Sequence, residues 1–123
     1  MKQVTFVVVD DAVFMRTIIR KMIEQVDEHK VVGEASNGRD AIEAAAKYQP
    51  DIMTLDITMP ELDGIQAVPE ILKVSPKTRI IMVSAMGQQS MVIEAIKMGA
   101  KDFVIKPFEK SRVYQAIKNV LSV

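Results

Sequence analysis

The chain has 123 residues, 49% of them hydrophobic, and its sixteen basic side chains balance its sixteen acidic ones. This length and composition fit a single globular domain, and zero net charge provides no general attraction for nucleic acid or for an anionic membrane. The sequence has no cysteine, which excludes disulfides and thiolate chemistry, and no apolar run is long enough for a signal-peptide core or a transmembrane helix. We therefore expect one cytoplasmic domain over residues 1–123, without a separate effector domain.

Short apolar runs alternate with helix-like segments along the whole chain. The runs are rich in Val and Ile and end at turn or polar residues, which is typical of buried parallel strands. The predicted strands are residues 4–9, 31–35, 51–56, 79–84 and 101–105. The predicted helices are one that follows Asp11, then about 39–48, 64–74, 90–98 and 110–121.

The first predicted helix has one apolar stripe at helical spacing. The stripe comprises Met15, Ile18, Ile19, Met22, Ile23 and Val26. Arg16 and Arg20 fall on the opposite, polar face. The polar residues that follow the helix, His29 among them, are interpreted as a solvated loop.

Later helices carry local signals of their own. Asn37 and Asp63 are candidate caps for the second and third helices. Pro69 lies beyond the first turn of the third helix, which predicts a kink or a late helix start. The second helix is predicted to pack through a face of Ala41, Ile42, Ala45 and Ala46. The last is predicted to pack through Val113, Ala116, Ile117, Val120 and Leu121.

Five βα units in strict alternation predict an α/β fold with a single five-stranded parallel sheet. Because crossovers between parallel strands are right-handed, the helices are expected on both faces, giving a doubly wound (βα)5 arrangement. The carboxyl ends of all five strands then lie at one edge of the sheet. Open α/β sheets bind their ligands at that edge.

Reactive side chains recur where the predicted strands end. Asp10 and Asp11 follow the first strand, Asp56 ends the third, Ser84 ends the fourth and Lys106 follows the fifth. Each position is ordinary alone, and an aspartate such as Asp11 before a helix is typical of an N-cap. Strands one, three, four and five can be neighbours in a doubly wound sheet, so we expect these groups to converge.

Three crowded carboxylates repel one another, and a hard divalent cation would relieve that repulsion. Mg²⁺ prefers oxygen ligands and keeps water positions that a phosphate can take. Asp11 and Asp56 are candidate direct ligands, and Asp10 is a ligand directly or through water. A backbone carbonyl just past Asp56, such as that of Thr58, could complete the set.

The same edge offers the groups needed for phosphoryl transfer. Lys106 supplies a compact positive charge for a phosphoryl oxygen, and Ser84 supplies a hydroxyl donor. The only histidine, His29, is predicted at the opposite edge of the sheet, so it is no competing nucleophile. A carboxylate nucleophile beside a metal, an ammonium and a hydroxyl predicts a phosphoryl-transfer site with Asp56 as the acceptor.

The sequence resembles response-regulator receiver domains over its full length. The matching residues are Asp10-Asp11, Asp56, Met59-Pro60, Asp63-Gly64, Ser84-Ala85 and Lys106-Pro107. Residues 84–93 and 99–108 are most similar to the stand-alone chemotaxis regulators of Thermotoga and Gram-positive bacteria. The resemblance implies a flavodoxin-like fold and a signalling switch of a two-component system rather than an enzyme.

The resemblance also implies roles for the site residues. A histidine kinase would phosphorylate Asp56, with Mg²⁺ held by Asp10, Asp11, Asp56 and the carbonyl of Thr58. Lys106 would pair with the phosphoryl group, and the peptide bond between Lys106 and Pro107 is expected to be cis.

Two residues are implied to act as the switch. Ser84 would move toward the phosphoryl group, and Phe103 would turn inward into the space that Ser84 leaves. The implied output surface is the fourth helix, the fifth strand and the fifth helix. Its implied target is a flagellar motor switch protein or another phospho-dependent partner. The chain is expected to be a monomer.

The resemblance further suggests a long-lived phosphorylated state. Thr58 and Met86 flank the path of the hydrolytic water in this family, and neither is an acid or an amide that could orient that water. We therefore expect slow self-dephosphorylation and a separate phosphatase.

Other functions are weighed against this one. In the same fold, the chain could pass phosphate to a histidine phosphotransfer protein. A phosphatase of the haloacid dehalogenase type would need a second aspartate at the position of Thr58. A flavodoxin would need a hydroxyl-rich phosphate loop where Asp10 and Asp11 stand, and a DNA-binding regulator is disfavoured by length and charge.

Overall fold

The strands of the computed structural model, which describes residues 3–122, form one parallel sheet. The sheet has the order β2-β1-β3-β4-β5, so β1, β3, β4 and β5 are consecutive neighbours. The strands are β1 (Val4–Val9), β2 (His29–Ala35), β3 (Ile52–Asp56), β4 (Arg79–Ser84) and β5 (Asp102–Ile105). The helices are α1 (Val13–Glu24), α2 (Gly38–Tyr48), α3 (Gly64–Val74), α4 (Gln89–Lys97) and α5 (Lys110–Leu121). The predicted doubly wound α/β fold is confirmed.

Each face of the sheet is covered by its own helix layer. Successive residues of a strand point to opposite faces, so Val7 and Val9 of β1 pack in the cluster covered by α2, α3 and α4, whereas Phe6 and Val8 pack in the cluster covered by α1 and α5. Because both faces are buried, the central strands read as continuous apolar runs. This explains why their positions could be predicted closely.

The prediction of a solvated loop at His29 is wrong. His29 is the first residue of β2, pairs with Val4 and lies half-buried with its ring centroid 5.0 Å from that of Phe6. Burial against this neighbour lowers the pKa of the imidazole from its usual value, although the Ile23 carbonyl and Glu28 act in the opposite direction. The polar run around His29 concealed the start of the strand, because an edge strand needs few apolar residues.

Two predicted packing faces are corrected in part. Ala46 of α2 is exposed, whereas Ala44 is buried beside Ala41 and Ala45. Leu121 is exposed at the end of α5, although the other four residues of its predicted stripe are buried.

Pro69 does not delay the start of α3. The helix begins at Gly64 because Asp63 and Gln66 form a capping box, in which each side chain accepts a hydrogen bond from the other residue's backbone N–H. Pro69 lies inside the helix on its exposed side. The carbonyl that loses its helical partner there is that of Ile65, four residues earlier.

In the described part of the chain, no helix combines the length and the apolar character needed to cross a membrane.

The hydroxyl of Thr54 provides a test of the packing. Thr54 lies in the middle of β3, is 3% exposed, and within residues 3–122 its Oγ1 has no hydrogen-bond partner. Replacing an unpaired buried hydroxyl by a methyl group of similar shape removes a desolvation penalty. We expect Thr54→Val to raise the free energy of unfolding by roughly 1 kcal/mol in urea titrations, whereas Thr54→Ser should lower it. A loss of stability in Thr54→Val would contradict this description of the β3 core.

Candidate functional site

Three carboxylates meet at the carboxyl edge of the sheet. Asp10 follows β1 and is fully buried, Asp56 ends β3 and is 6% exposed, and Asp11 is exposed. One carboxylate oxygen from each residue lies within 4.8 Å of the other two. The adjacency of β1 and β3, where Val9 pairs with Leu55, brings these groups together.

Lys106 brings a positive charge to the cluster. It follows β5, and its Nζ lies 3.1 Å from Oδ2 of Asp10 and 3.6 Å from Oδ1 of Asp56. Its backbone N–H donates to the carbonyl of Ser84, which fixes the end of β5 against β4, and its peptide bond to Pro107 is cis. One ammonium therefore faces two buried carboxylates, with a third carboxylate nearby.

The carboxyl of Asp56 is perturbed by its position in this cluster. Burial raises the pKa of its carboxyl to about 6, and Asp10 and Asp11 act in the same direction. Lys106 and the backbone N–H of Ile57 lower the pKa without cancelling the increase. The folded chain thus disfavours an ionised Asp56 while the cluster holds no further cation.

The cluster fits a hard divalent cation. Its donors are oxygens, they lie close together, and their negative charge exceeds the single positive charge of Lys106. Mg²⁺ takes such ligands and would offset the repulsion among the three carboxylates. Thr58, the predicted carbonyl ligand, lies in the loop between β3 and α3, two residues beyond Asp56.

That loop is held close to the site by Gly64. A Cβ atom at Gly64 would lie 2.2 Å from the backbone oxygen of Asp56, so only glycine allows the start of α3 to approach β3 this closely. The N–H of Gly64 also donates to the carbonyl of Ile57 at 2.8 Å. The loop after Asp56 is thus closed by the return of Gly64 to the end of β3, and Thr58 lies within this closed loop.

Arg16 supports Asp10 in a way that the sequence did not reveal. The predicted polar face of α1 suggested a solvated side chain, but the Arg16 side chain is 15% exposed. Its guanidinium donates to the backbone carbonyl of Asp10 at 2.6 Å and to Oε1 of Glu34 at 3.1 Å. A cation one turn beyond two aspartates is the only sequence signal that could have suggested this contact.

Asp11 does not cap α1. The N-cap position is Ala12, without a side-chain cap, and its N–H donates to Oδ1 of Asp10 at 2.9 Å. The side chain of Asp11 therefore belongs to the carboxylate cluster rather than to the helix.

The two predicted switch residues lie on either side of a cavity. Ser84 is buried at the end of β4, and Phe103 is half-buried in β5, with the Arg112 guanidinium carbon 5.5 Å from its ring centroid. The cavity is apolar, has a volume of about 250 Å³ and lies beneath α4. Its lining comprises Ser84, Ala85, Gln89, Val92, Ile93, Ile96, Phe103 and Ile105.

A glutamine beside the site also escaped sequence analysis. Gln88, at the start of α4, donates from Nε2 to Oγ1 of Thr58 at 2.9 Å. Its Oε1 accepts a hydrogen bond from the N–H of Ala85 at 2.7 Å. The long separation of Thr58 and Gln88 along the chain left no local pattern that could have indicated this contact.

Comparison with known proteins identifies the architecture around these residues. The sequence matches the response regulator receiver domain over residues 6–118. The chain belongs to that family.

Its relatives include chemotaxis proteins. The chain is 55% identical over 113 residues to the chemotaxis protein CheY of Thermotoga maritima, covering 92% of this chain and 93% of the relative. It is 52% identical over 115 residues to the CheY of Bacillus subtilis, covering 94% and 95%. The predicted likeness to the Thermotoga and Gram-positive regulators is confirmed.

A solved structure with the same fold contains the metal. The CheX–CheY–BeF₃–Mg²⁺ complex from Borrelia burgdorferi matches with a TM-score of 0.90 and 30% identity, covering 98% of this chain and 90% of that one. That complex unites a receiver protein, a magnesium ion and a beryllium fluoride group in one assembly.

The pKa of Asp56 predicts how stability changes with pH in the metal-free protein. The folded pKa of Asp56, about 6, lies above the ordinary value of 3.8. The contribution of this carboxyl to the free energy of unfolding is therefore greatest below pH 3.8 and is lost as the pH rises through 6. Asp56→Asn does not ionise. In EDTA, we expect its stability advantage over the wild-type chain to grow by roughly 2–3 kcal/mol between pH 4 and pH 7.

Urea unfolding of the wild type and of Asp56→Asn across this pH range measures the difference in their free energies of unfolding. All other titrating groups are present in both proteins. Adding Mg²⁺ at pH 7 should shrink the advantage of Asp56→Asn. An advantage that stays constant with pH would contradict the electrostatic description of the cluster.

Proposed function

We propose that this chain is a single-domain response regulator in which a histidine kinase phosphorylates Asp56. The observation that carries the proposal is the position of a buried carboxylate at a strand end, between two further aspartates and Lys106. Membership of the receiver family supports the same role. The chemotaxis names of the relatives favour control of flagellar rotation as the output.

In the proposed reaction, an oxygen of the Asp56 carboxylate attacks the phosphorus atom of a phosphohistidine. The new P–O bond forms as the P–N bond breaks, and the released imidazole takes up a proton. Lys106, already 3.6 Å from Asp56, is placed to pair with a phosphoryl oxygen. Ser84, at the end of the neighbouring strand, can donate its hydroxyl to the same group.

Metal binding is assigned to the carboxylates of Asp10, Asp11 and Asp56 and to the backbone carbonyl of Thr58. Bound Mg²⁺ would neutralise negative charge that develops on the phosphoryl group during transfer. The protein itself contributes the fixed placement of its oxygens, because Arg16 holds the Asp10 backbone and Gly64 holds the β3–α3 loop close.

The proposed output passes through Ser84 and Phe103. Phosphorylation adds about two negative charges and strong acceptor atoms, which would draw the Ser84 hydroxyl toward Asp56. The cavity beneath α4 gives Phe103 space to turn inward. Because this cavity is bordered by α4 and β5, such a movement would change the outer surface of both elements.

That outer surface suits a protein partner. Ile93 and Ile96 of α4 and Ile105 of β5 are large hydrophobic residues that are exposed. Exposed apolar residues grouped beside a cavity are typical of a binding surface. We propose that a flagellar motor switch protein binds here after phosphorylation, through α4, β5 and α5.

The chemistry is tested by phosphoryl uptake from acetyl phosphate, read by intact mass. We expect the wild-type chain to gain one phosphoryl group with Mg²⁺ and none in EDTA. Asp56→Asn should gain none under either condition, because it lacks the nucleophile. Asp51→Asn is a matched control, since Asp51 accepts hydrogen bonds from Thr5 at the opposite end of β3, and it should be modified like the wild type.

An adduct on Asp56→Asn, or none on the wild type, would overturn the proposal. The same adduct, followed after removal of the donor, measures the proposed slow self-dephosphorylation. Thr58 and Met86, both exposed, offer no acid or amide to orient water. Decay within seconds would contradict slow hydrolysis and the need for a separate phosphatase.

A further inference from the structure

The loop between β4 and α4 contains one side chain that turns inward. Ala85, Met86 and Gly87 are exposed, whereas Gln88 is half-buried. The backbone carbonyl of Gln88 starts α4 by accepting hydrogen bonds from the N–H groups of Met91 and Val92, but its side chain does not cap the helix. The side-chain amide of Gln88 therefore forms its hydrogen bonds outside the helix.

This amide joins the ends of two strands. Its oxygen accepts from the N–H of Ala85, the residue after Ser84, and its nitrogen donates to the hydroxyl of Thr58, two residues after Asp56. The orientation of the amide follows from its partners, because the N–H of Ala85 requires an acceptor. We call this pair of hydrogen bonds the Gln88 bridge.

The bridge connects three segments beside the site, namely the loop after Asp56, the end of β4 and the start of α4. Thr58 belongs to the loop that leaves Asp56, Ala85 is covalently joined to Ser84, and Gln88 is the N-cap residue of α4. A shift of the Ser84 backbone toward a phosphoryl group would carry the N–H of Ala85 with it. The hydrogen bond from Ala85 to Gln88 cannot keep its length of 2.7 Å unless α4 follows.

We propose that Gln88 is a positioning residue whose bridge holds the β4–α4 loop against Thr58 in the unphosphorylated protein and is released on phosphorylation. This inference rests on the proposed function, because the bridge would restrain the movement that is proposed to follow phosphorylation of Asp56. Interactions made in only one state stabilise that state. Loss of the bridge therefore shifts the equilibrium toward the arrangement that the phosphoryl group selects.

The test uses beryllium fluoride with Mg²⁺ as a phosphoryl mimic and measures its dissociation constant by calorimetry. We expect Gln88→Ala to bind the mimic about fivefold more tightly than the wild type, which is the effect of losing a net hydrogen bond that only the free state makes. Thr58→Val removes the same bond from the other side and leaves α4 intact. It should tighten binding to a similar extent.

The double variant distinguishes a shared interaction from two separate effects. Because both changes break the same bond, Gln88→Ala with Thr58→Val should bind no more tightly than Gln88→Ala alone. Gln25→Ala, at the exposed end of α1 where the side chain accepts from Tyr114, is the matched control and should bind like the wild type. A merely structural role for Gln88 would weaken binding or leave it unchanged.

The outcomes separate this inference from the proposed function. If the wild type binds the mimic and takes up phosphate on Asp56 while Gln88→Ala and Thr58→Val bind like it or more weakly, the bridge is not a restraint and the phosphorylation chemistry stands. If the two single effects add in the double variant, the side chains do not act through one bond, and the inference fails. If the wild type neither binds the mimic nor takes up phosphate, both proposals fail together.

Discussion

The structure depends on an electrostatic imbalance at the carboxyl edge of the sheet. Two buried carboxylates share one ammonium, and a third carboxylate lies within reach of both. Packing elsewhere in the domain tolerates this arrangement because both faces of the sheet are covered by apolar helices. Burial, with repulsion from Asp10 and Asp11, raises the pKa of Asp56. The same environment makes the site sensitive to charge, since a divalent cation or a transferred phosphoryl group changes the balance of charge.

The strand order brings the reactive strand ends together. Asp56 lies on β3, Ser84 on its neighbour β4 and Lys106 after β5, so a change at one strand end faces the loops that start the next helices. The apolar cavity between α4 and β5 leaves Phe103 beside unfilled space that opens to the surface at Ile93 and Ile96. A densely packed interior would resist rearrangement at this point.

Sequence analysis predicted the site residues whose location follows from the positions of the strands. It did not predict the contacts that depend on the direction in which a long side chain points. Asp10, Asp56 and Lys106 could be placed together because parallel strands end at one edge, which is a property of topology. The inward turns of Arg16 and Gln88 could not be predicted. Arg16 lies on the predicted polar face of α1, and Gln88 contacts Thr58, which is distant along the chain. His29 was misplaced because edge strands tolerate polar residues, and the capping box at Asp63 overrode the helix-breaking tendency of Pro69.

The most direct test of the account is whether charge at Asp56 is felt at the outer face of α4. Backbone amide NMR spectra of the chain, recorded with Mg²⁺ before and after addition of beryllium fluoride, would measure this residue by residue. The account predicts shifts that extend from the site to Ile93, Ile96 and Ile105, which are exposed and line the cavity. Shifts confined to the residues beside Asp10, Asp56 and Lys106 would contradict it. The site would then bind a ligand without altering the proposed partner-binding surface.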